Sequence, residues 1–245
     1  MFTTTALAIG AIAALVTGLS KTALPGAGLL ATPLFALIAD GRMIAGVALP
    51  VLIFADIYAI RWYRSHTRWD LLRPLVVWVA AGFGLGAAFF LLVDRVRTIE
   101  VVIACAIIAV VGVQVVRMLR NAPPRPASRT DAALYGTTGG FSTFVANAAG
   151  PIMNTYLVGL GLDRQTLVGT SAWFYFAVNL AKIPFYLALG HFFTLEGLLY
   201  DLCLFPVVLV GLYTGRALLP RLHDRLFVWV VLALSLGGAV RLLLA

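Results

Sequence analysis

Two stretches that contain glycine and proline interrupt long apolar runs of the chain: SKTALPGAG at residues 20–28 and STFVANAAGP at residues 142–151. Each lies inside a run that otherwise favours a helix, residues 5–38 and residues 132–160. Proline and glycine break the helical pattern of backbone hydrogen bonds. Broken backbone at membrane depth is tolerated only inside protein or beside an aqueous cavity. Both stretches therefore predict an internal site in a membrane protein.

The composition excludes most soluble classes of protein. Of the 245 residues, 62% are hydrophobic and 11% are charged, whereas ordinary soluble domains carry about 25% charged residues. A soluble fold of this size could not hide so much apolar surface from water. Because a helix of about 20 apolar residues crosses a bilayer, we predict an all-α polytopic membrane protein. It would be a multi-pass protein, with the lipid bilayer as a partner.

Eight apolar segments follow one another along the chain. They cover residues 5–38, 43–62, 71–93, 97–119, 132–160, 164–188, 197–218 and 222–243. A polar interruption, NAPPRPASRTD at residues 121–131, contains three prolines, and these favour an extended, exposed linker. We therefore predict a first transmembrane repeat at residues 1–120, a cytoplasmic linker at residues 121–131 and a second transmembrane repeat at residues 132–245.

The two halves share a weak internal repeat. GLSK at residues 18–21 aligns with GFST at residues 140–143 at an offset of 122, and Gly28 falls on Gly150 at the same offset. Glycine is common in this chain, so chance similarity stays an alternative. Matching broken segments in two halves are nevertheless the best sequence pointer to a transporter binding site.

The placement of arginine favours a re-entrant hairpin for each broken run. If all eight runs crossed the membrane, the arginines would divide nine to seven between its two faces. If residues 5–38 and residues 132–160 each enter and leave on one side, three full spans remain in each half, the repeats are inverted, and the division becomes twelve to four. Positive charge collects on the cytoplasmic side, so we prefer the hairpins and keep eight plain spans as the alternative.

Three ionisable side chains lie inside apolar runs, where a charge is costly and marks function. They are Lys21, Asp56 and Lys182. The whole sequence contains two lysines, and both are in this set. We expect Asp56 to relay charge or couple an ion, and to be the partner of Lys182. Lys21 has no acid at helical spacing, so the cargo is its expected counter-charge. The structural alternatives are a static Asp56–Lys182 pair and a Lys21 that extends to the membrane surface.

Small and polar groups surround both breaks. Helix ends at such breaks expose unpaired N–H groups and a partial positive charge, an arrangement that binds small oxyanions. We therefore predict a small anionic substrate held between the two broken tips. The predicted substrate-binding residues are Ser20, Lys21, Thr22, Gly26, Gly28, Ser142, Asn147, Gly150, Asn154, Ser171, Asn179 and Lys182. For Trp173 and Tyr175, packing between helices is the expectation, and a place in the wall of the same cavity is the alternative.

The sequence lacks the motifs that are typical of enzymes and of nucleic-acid-binding proteins. The sequence holds no nucleotide-binding loop, zinc-protease motif or hydrolase elbow, and its three histidines lack metal-ligand spacing. The net charge of +8 comes from arginines in or beside loops, which the positive-inside rule explains without nucleic acid. We expect a secondary transporter with no enzyme activity, cofactor or metal. An anion channel, or a permease for another small carboxylate or oxyanion, is the alternative, and a homodimer is left open.

At this point the pattern resembles the sulfite exporter TauE/SafE family. The residues that carry the resemblance are Gly18, Pro25–Gly28 and Thr32–Leu34 in the first half, and Gly140, Ala149–Ile152 and Tyr156–Leu157 in the second. Members of the family typically have a longer glycine run at each break, where this chain has alanines and Asn147. The resemblance implies an inner-membrane permease that exports sulfur-containing anions such as sulfite, sulfoacetate or related organosulfonates.

Overall fold

The computed structural model describes residues 3–28, 31, 34–35, 37–39, 42–92, 96–146, 148–190 and 192–244. Nearly all of this part is helical, and it contains no strand. The helices are α1 (Thr4–Thr22), α2 (Arg42–Tyr63), α3 (Trp69–Leu72), α4 (Leu75–Leu92), α5 (Val96–Leu119), α6 (Arg129–Ala146), α7 (Ala149–Gly159), α8 (Arg164–Leu189), α9 (Leu195–Leu218) and α10 (Asp224–Leu244), with 3₁₀ turns at Arg64–His66 and Leu219–Arg221.

The outer surface of the helices is apolar. Val77 and Leu187 are 70% and 65% exposed, and large exposed apolar side chains in such numbers indicate a lipid-facing surface. The helices of the described part that are long and apolar enough to cross a bilayer are Thr4–Thr22, Ala45–His66 and Leu195–Arg221, and shorter apolar helices lie at Leu75–Phe89 and Ile107–Leu119. An all-helical architecture with this surface is compatible with the membrane protein predicted from composition.

Polar side chains fix where two of the helices begin. The Asp163 carboxylate accepts hydrogen bonds from the backbone N–H groups of Gln165 (3.0 Å) and Thr166 (3.1 Å) at the start of α8. The Thr194 hydroxyl accepts one from the Gly197 N–H (3.0 Å) at the start of α9. Such caps satisfy donors that the first turn of a helix leaves unpaired.

Helices α1 and α9 lie side by side and run in the same direction. The Tyr200 hydroxyl near the start of α9 donates to the Ala6 carbonyl near the start of α1. At the other end, the Thr22 hydroxyl of α1 donates to the Leu212 carbonyl of α9 (3.1 Å). These two bonds set the direction of α1 relative to α9.

Helix α2 also runs parallel to α9, and therefore parallel to α1. The rings of Phe54 and Phe205 stack with their centroids 4.1 Å apart, and those of Trp62 and Tyr213 meet at 4.9 Å nearer the ends of both helices. Because α1 and α2 begin at the same end of the molecule, the chain between Thr22 and Arg42 returns to the end at which α1 began.

Helix α8 lies beside α2 in the opposite direction. The Arg68 N–H, just after α2, donates to the Thr170 hydroxyl near the start of α8 (3.1 Å). Gly46, near the start of α2, lies against Phe192, which follows the end of α8. This antiparallel pairing brings the middle of α2 beside the middle of α8.

Helix α6, the first helix of the second half, runs parallel to α4 of the first half. Gly136 near the start of α6 lies against Trp78 of α4, and Gly86 near the end of α4 lies against Phe144 of α6. The Arg125 N–H in the linker donates to the Gly159 carbonyl at the end of α7 (2.9 Å). The broken run formed by α6 and α7 therefore begins and ends at the same end of the molecule.

Several loops gather at the end of the molecule that carries the linker. Guanidinium nitrogens of Arg164 donate to the carbonyls of Leu219 (3.1 Å) and Pro220 (3.4 Å), which joins the loop before α8 to the loop after α9. We call this end, formed by residues 64–74, 120–128, 160–164 and 219–223, the linker face. The start of α1 and the start of α9 lie at the opposite end.

Glycines at matching positions allow the closest helix pairs to approach. A Cβ on Gly18 of α1 would clash with the Val208 carbonyl oxygen of α9, and a Cβ on Gly140 of α6 would clash with the Val79 carbonyl oxygen of α4. These two helix pairs make the most extensive contacts of the described part. Small residues let membrane helices pack backbone to backbone.

Candidate functional site

A cavity of about 80 Å³ lies between the two broken segments. The first half contributes Thr17, Ser20, Lys21, Pro25, Gly26, Gly28, Ala31, Phe35, Ala48 and Leu52, and the second half contributes Thr143, Ala149, Gly150, Tyr175 and Asn179. Since a water molecule takes about 30 Å³ in the liquid, the cavity has room for a few waters or one small ion.

The first broken segment forms a tight turn at the cavity. The Ala27 N–H donates to the Leu24 carbonyl (2.9 Å) across Pro25 and Gly26, and Gly26 has a φ of 106°. This is the pattern of a type II turn, which favours proline at its second residue and needs a positive φ at its third. Glycine adopts that φ at little cost, so the sequence PG sets the turn that ends α1 beside the cavity.

The second broken segment starts a new helix at the cavity. The Ala148 N–H donates to the Ser142 carbonyl (3.1 Å) as α6 ends, and α7 starts one residue later with Pro151 in its first turn. Proline costs no helical hydrogen bond there. Ala149 and Gly150 line the cavity, so the unpaired N–H groups and the positive dipole end of α7 lie at its wall.

A buried ion pair joins α1 to α2 beside the cavity. The Lys21 Nζ lies 2.7 Å from the Asp56 Oδ1, and their side chains are 8% and 0% exposed. The Asn179 Nδ2 of α8 donates to the Asp56 Oδ2 (2.9 Å), and the Lys182 Nζ donates to the Asn179 Oδ1 (3.3 Å). We call these four residues the polar chain, and it connects the two halves of the molecule.

Asp56 is a counter-charge of Lys21 within the protein, which corrects the expectation that the cargo is the counter-charge of Lys21. Helical spacing along α1 shows no acid near Lys21, but Asp56 reaches it from α2. The expected relation between Asp56 and Lys182 includes the Asn179 amide, which bonds to both side chains. Burial also places the Lys21 ammonium inside the molecule and not at its surface.

Tyr175 lines the cavity, so the structure favours the alternative over the expected packing between helices. Its ring lies over Lys21, with the Nζ 4.6 Å from the ring centroid, a cation–π contact. Its hydroxyl donates to the Asn154 Oδ1 (2.9 Å), and the Ser171 hydroxyl donates to the same oxygen (3.5 Å). Asn154 and Ser171 therefore position the Tyr175 ring from behind the wall.

Trp173 does pack between helices. Its ring meets Trp69 of α3 at a centroid distance of 5.0 Å and Phe176 of its own helix at 6.1 Å.

The predicted substrate-binding residues take three different places in the structure. Those that line the cavity are Ser20, Lys21, Gly26, Gly28, Gly150 and Asn179. Those buried behind its wall are Thr22, Ser142, Asn154, Ser171 and Lys182. Asn147 lies outside the described residues. Thr22 bonds to the Leu212 carbonyl and Ser142 to the Gly139 carbonyl (3.2 Å), so their hydroxyls already have partners within the protein.

Asp201 is a buried acid that was overlooked in the sequence. It lies inside the apolar run at residues 197–218 and is 1% exposed. The signal that selected Lys21, Asp56 and Lys182, an ionisable side chain in an apolar run, applies to it equally. It lies in α9, away from the cavity wall.

The cavity offers groups that bind an anion. It has one ammonium, hydroxyls, an amide and the N–H groups of a helix start, and these all donate hydrogen bonds to negatively charged oxygen. Within the described part, no group of three or more His, Cys, Asp or Glu side chains is placed to hold a metal ion.

An apolar helical architecture with a cavity between two broken segments, lined in part by polar groups, is compatible with a membrane permease. The sulfite exporter TauE/SafE family matches residues 9–242 of the 245-residue chain, and the chain belongs to this family. The family consists of membrane transporters that export sulfite and related sulfur anions, so the resemblance seen in the sequence is confirmed. Comparison with curated proteins and with solved structures gives no significant match.

Proposed function

We propose that the chain is a secondary transporter that exports small sulfur-containing anions, such as sulfite or organosulfonates, and holds the anion in the cavity between its broken segments. Family membership supports the class of substrate. The observation that carries the binding role is the Lys21 ammonium, which is buried and lines the cavity. The sequence has no ATP-binding loop, so an ion gradient or the substrate gradient drives the flux.

The anion would accept hydrogen bonds from both halves of the protein. Lys21 supplies positive charge from α1, and the N–H groups at the start of α7 supply directed donors from the second half. Gly28 and Gly150 leave room for the anion because they lack side chains. Ser20 and Asn179 add a hydroxyl and an amide at the wall.

Asp56 acts as a charge relay in this proposal. A lone buried ammonium costs several kcal/mol, so Asp56 keeps Lys21 charged while the cavity is empty. An arriving anion then shares the ammonium with Asp56, whose carboxylate stays held by the Asn179 amide. Asn154 and Ser171 contribute indirectly, through the Tyr175 ring.

We also propose that the architecture is a pair of inverted repeats, residues 1–120 and 132–245, each with a re-entrant hairpin and three membrane spans. The parallel directions of α1 and α2 support a first hairpin that opens at the end opposite the linker face. The Arg125–Gly159 hydrogen bond supports a second hairpin that opens at the linker face. Arginines concentrate there, so the linker at 121–131 would be cytoplasmic and the membrane the inner one.

Titration of the purified protein with sulfite, methanesulfonate and acetate tests the binding role. The wild type should bind the two sulfur anions, and Lys21→Met should weaken that binding more than tenfold because it removes the cavity's ammonium. Lys182→Met is the matched control, since Lys182 stands behind the wall, and it should weaken binding less. Wild-type affinity in a monodisperse Lys21→Met variant would contradict the proposal.

A further inference from the structure

Asp201 stands out among the buried charged side chains because the polar chain does not account for it. It lies six residues after the start of α9, which corresponds to about 9 Å along the helix. The side chain is 1% exposed. Neither carboxyl oxygen has a hydrogen-bond partner among the residues that the structure describes.

The surroundings of Asp201 are apolar. One turn before it, Gly197 lies near Val47 of α2. One turn after it, Leu204 belongs to a buried apolar cluster formed with α1 and α2. An ionised carboxylate without a partner in such surroundings is so costly that the group takes up a proton instead. Burial without a partner therefore favours the protonated form of Asp201.

Few titratable groups face Asp201. Tyr200 uses its hydroxyl to bond the Ala6 carbonyl, while Glu196 and Cys203 point outward from the same helix. In the described part, α1 before residue 21 and α2 between residues 43 and 55 carry no ionisable side chain. The titratable side chains outside the description that adjoin helix ends of this region in the sequence are Asp40, Arg42, Asp94, Arg95, Arg97, Glu100, His191 and Arg241.

The apolar cluster beside Asp201 also forms part of the cavity wall. Phe35 and Ala48 belong to both. Asp201 thus lies between the cavity and the end of the molecule opposite the linker face. The ligand that suits a single buried carboxyl whose two oxygens have no partner in the described part is a proton.

We propose that Asp201 is a proton-binding site that couples anion transport to the proton gradient. The carboxyl keeps its proton in the conformation described here, which we call closed because Asp201 is buried in it. It releases the proton to water when the start of α9 opens to the face opposite the linker. The step is an ionisation that gives a carboxylate and a hydrated proton, and the positive dipole end of α9 stabilises the carboxylate. The coupling extends the proposed function and rests on it, whereas the protonation does not.

Thermodynamic linkage between proton binding and conformation determines how pH shifts the equilibrium between the closed and the open conformation. The closed conformation binds the proton more tightly than the open one, because only the open one hydrates the carboxylate. Raising the pH therefore shifts the protein toward the conformation that is open opposite the linker face.

Infrared spectroscopy on the reconstituted protein, with no anion added, tests the protonation. The wild type at neutral pH should show the carbonyl band of a protonated carboxyl, and Asp201→Asn should lose it. Glu196→Gln, which removes an exposed acid of the same helix, should keep the band. A band that persists in Asp201→Asn, or that the wild type lacks, overturns the proposal.

Sulfite flux into proteoliposomes tests the coupling, after subtraction of the flux into protein-free liposomes. An imposed pH gradient should stimulate the wild type and Glu196→Gln. Asp201→Asn should lose that stimulation and retain sulfite exchange at equal pH. A gradient response preserved in Asp201→Asn contradicts the coupling. Absence of sulfite exchange in the wild type would count against the proposed function and leave the infrared result to decide the protonation.

Discussion

At the scale of single residues, the Lys21–Asp56 ion pair determines the charge at the cavity wall. Both side chains are more than nine-tenths buried. Removing one partner leaves the other as a buried charge, which typically costs about 3–5 kcal/mol, whereas replacing both partners together is often close to neutral. This asymmetry separates the contribution of the pair to stability from its contribution to anion binding.

Lys21→Met should therefore destabilise the protein by about 3–5 kcal/mol, and adding Asp56→Asn should recover most of the loss. Anion binding should stay weak in both variants, because neither has the ammonium. Thermal unfolding in detergent, together with anion titration, measures the two effects.

The control for this double substitution is Arg68→Met, which breaks the pair with Asp70. Those side chains are 50% and 60% exposed, and such surface pairs contribute at most about 1 kcal/mol. Full recovery of both stability and anion binding in the Lys21→Met, Asp56→Asn variant would show that another residue binds the anion.

Sequence reasoning found the members of the polar chain but not their pairing. Lys21, Asp56 and Lys182 are visible as charges within apolar runs. Their partners depend on which helices pack together, and helical spacing within one segment carries no such information. Tyr175 illustrates the same limit. In the sequence, an aromatic residue of a membrane helix that packs against another helix cannot be distinguished from one that lines a cavity.

At the scale of helices, backbone contact at glycine holds the two closest pairs together. Gly140→Ala should lower the unfolding temperature, because the new methyl group meets the Val79 carbonyl oxygen and overpacking of this kind costs about 1–3 kcal/mol. Gly139→Ala is the matched control, since its Cβ would lie 3.8 Å from the Phe174 Cζ, an ordinary contact. Equal unfolding temperatures for the two variants would contradict this packing.

The breaks were predictable at this scale, and some helix boundaries were less so. Pro25 and Gly26 occupy the turn positions that their residue types favour. The predicted linker ends at residue 131, yet α6 already begins at Arg129 because the Ser128 hydroxyl caps it through the Asp131 N–H (3.0 Å). A serine followed three residues later by an acid is a start signal, but the prolines before it dominated the pattern.

At the scale of the whole molecule, the positions of the linker and of the start of α9 distinguish the two topologies. Re-entrant hairpins place Ser128 and Glu196 on opposite sides of the membrane, whereas eight plain spans place them on the same side. With Cys105 and Cys203 replaced, Ser128→Cys and Glu196→Cys should react with an impermeant thiol reagent from opposite sides. Ser65→Cys, also at the linker face, should match Ser128→Cys. Labelling of Ser128→Cys and Glu196→Cys from one side would contradict the hairpins.

The central claim is that an anion binds in the cavity between the two broken segments, and a crystal structure with selenite, the heavier analogue of sulfite, tests it most directly. Anomalous scattering locates selenium without reference to the protein density. We predict a peak within hydrogen-bonding distance of the Lys21 Nζ and of the backbone nitrogens of Ala149 and Gly150. An empty cavity, with selenite found only among the arginines of the linker face, would contradict the account.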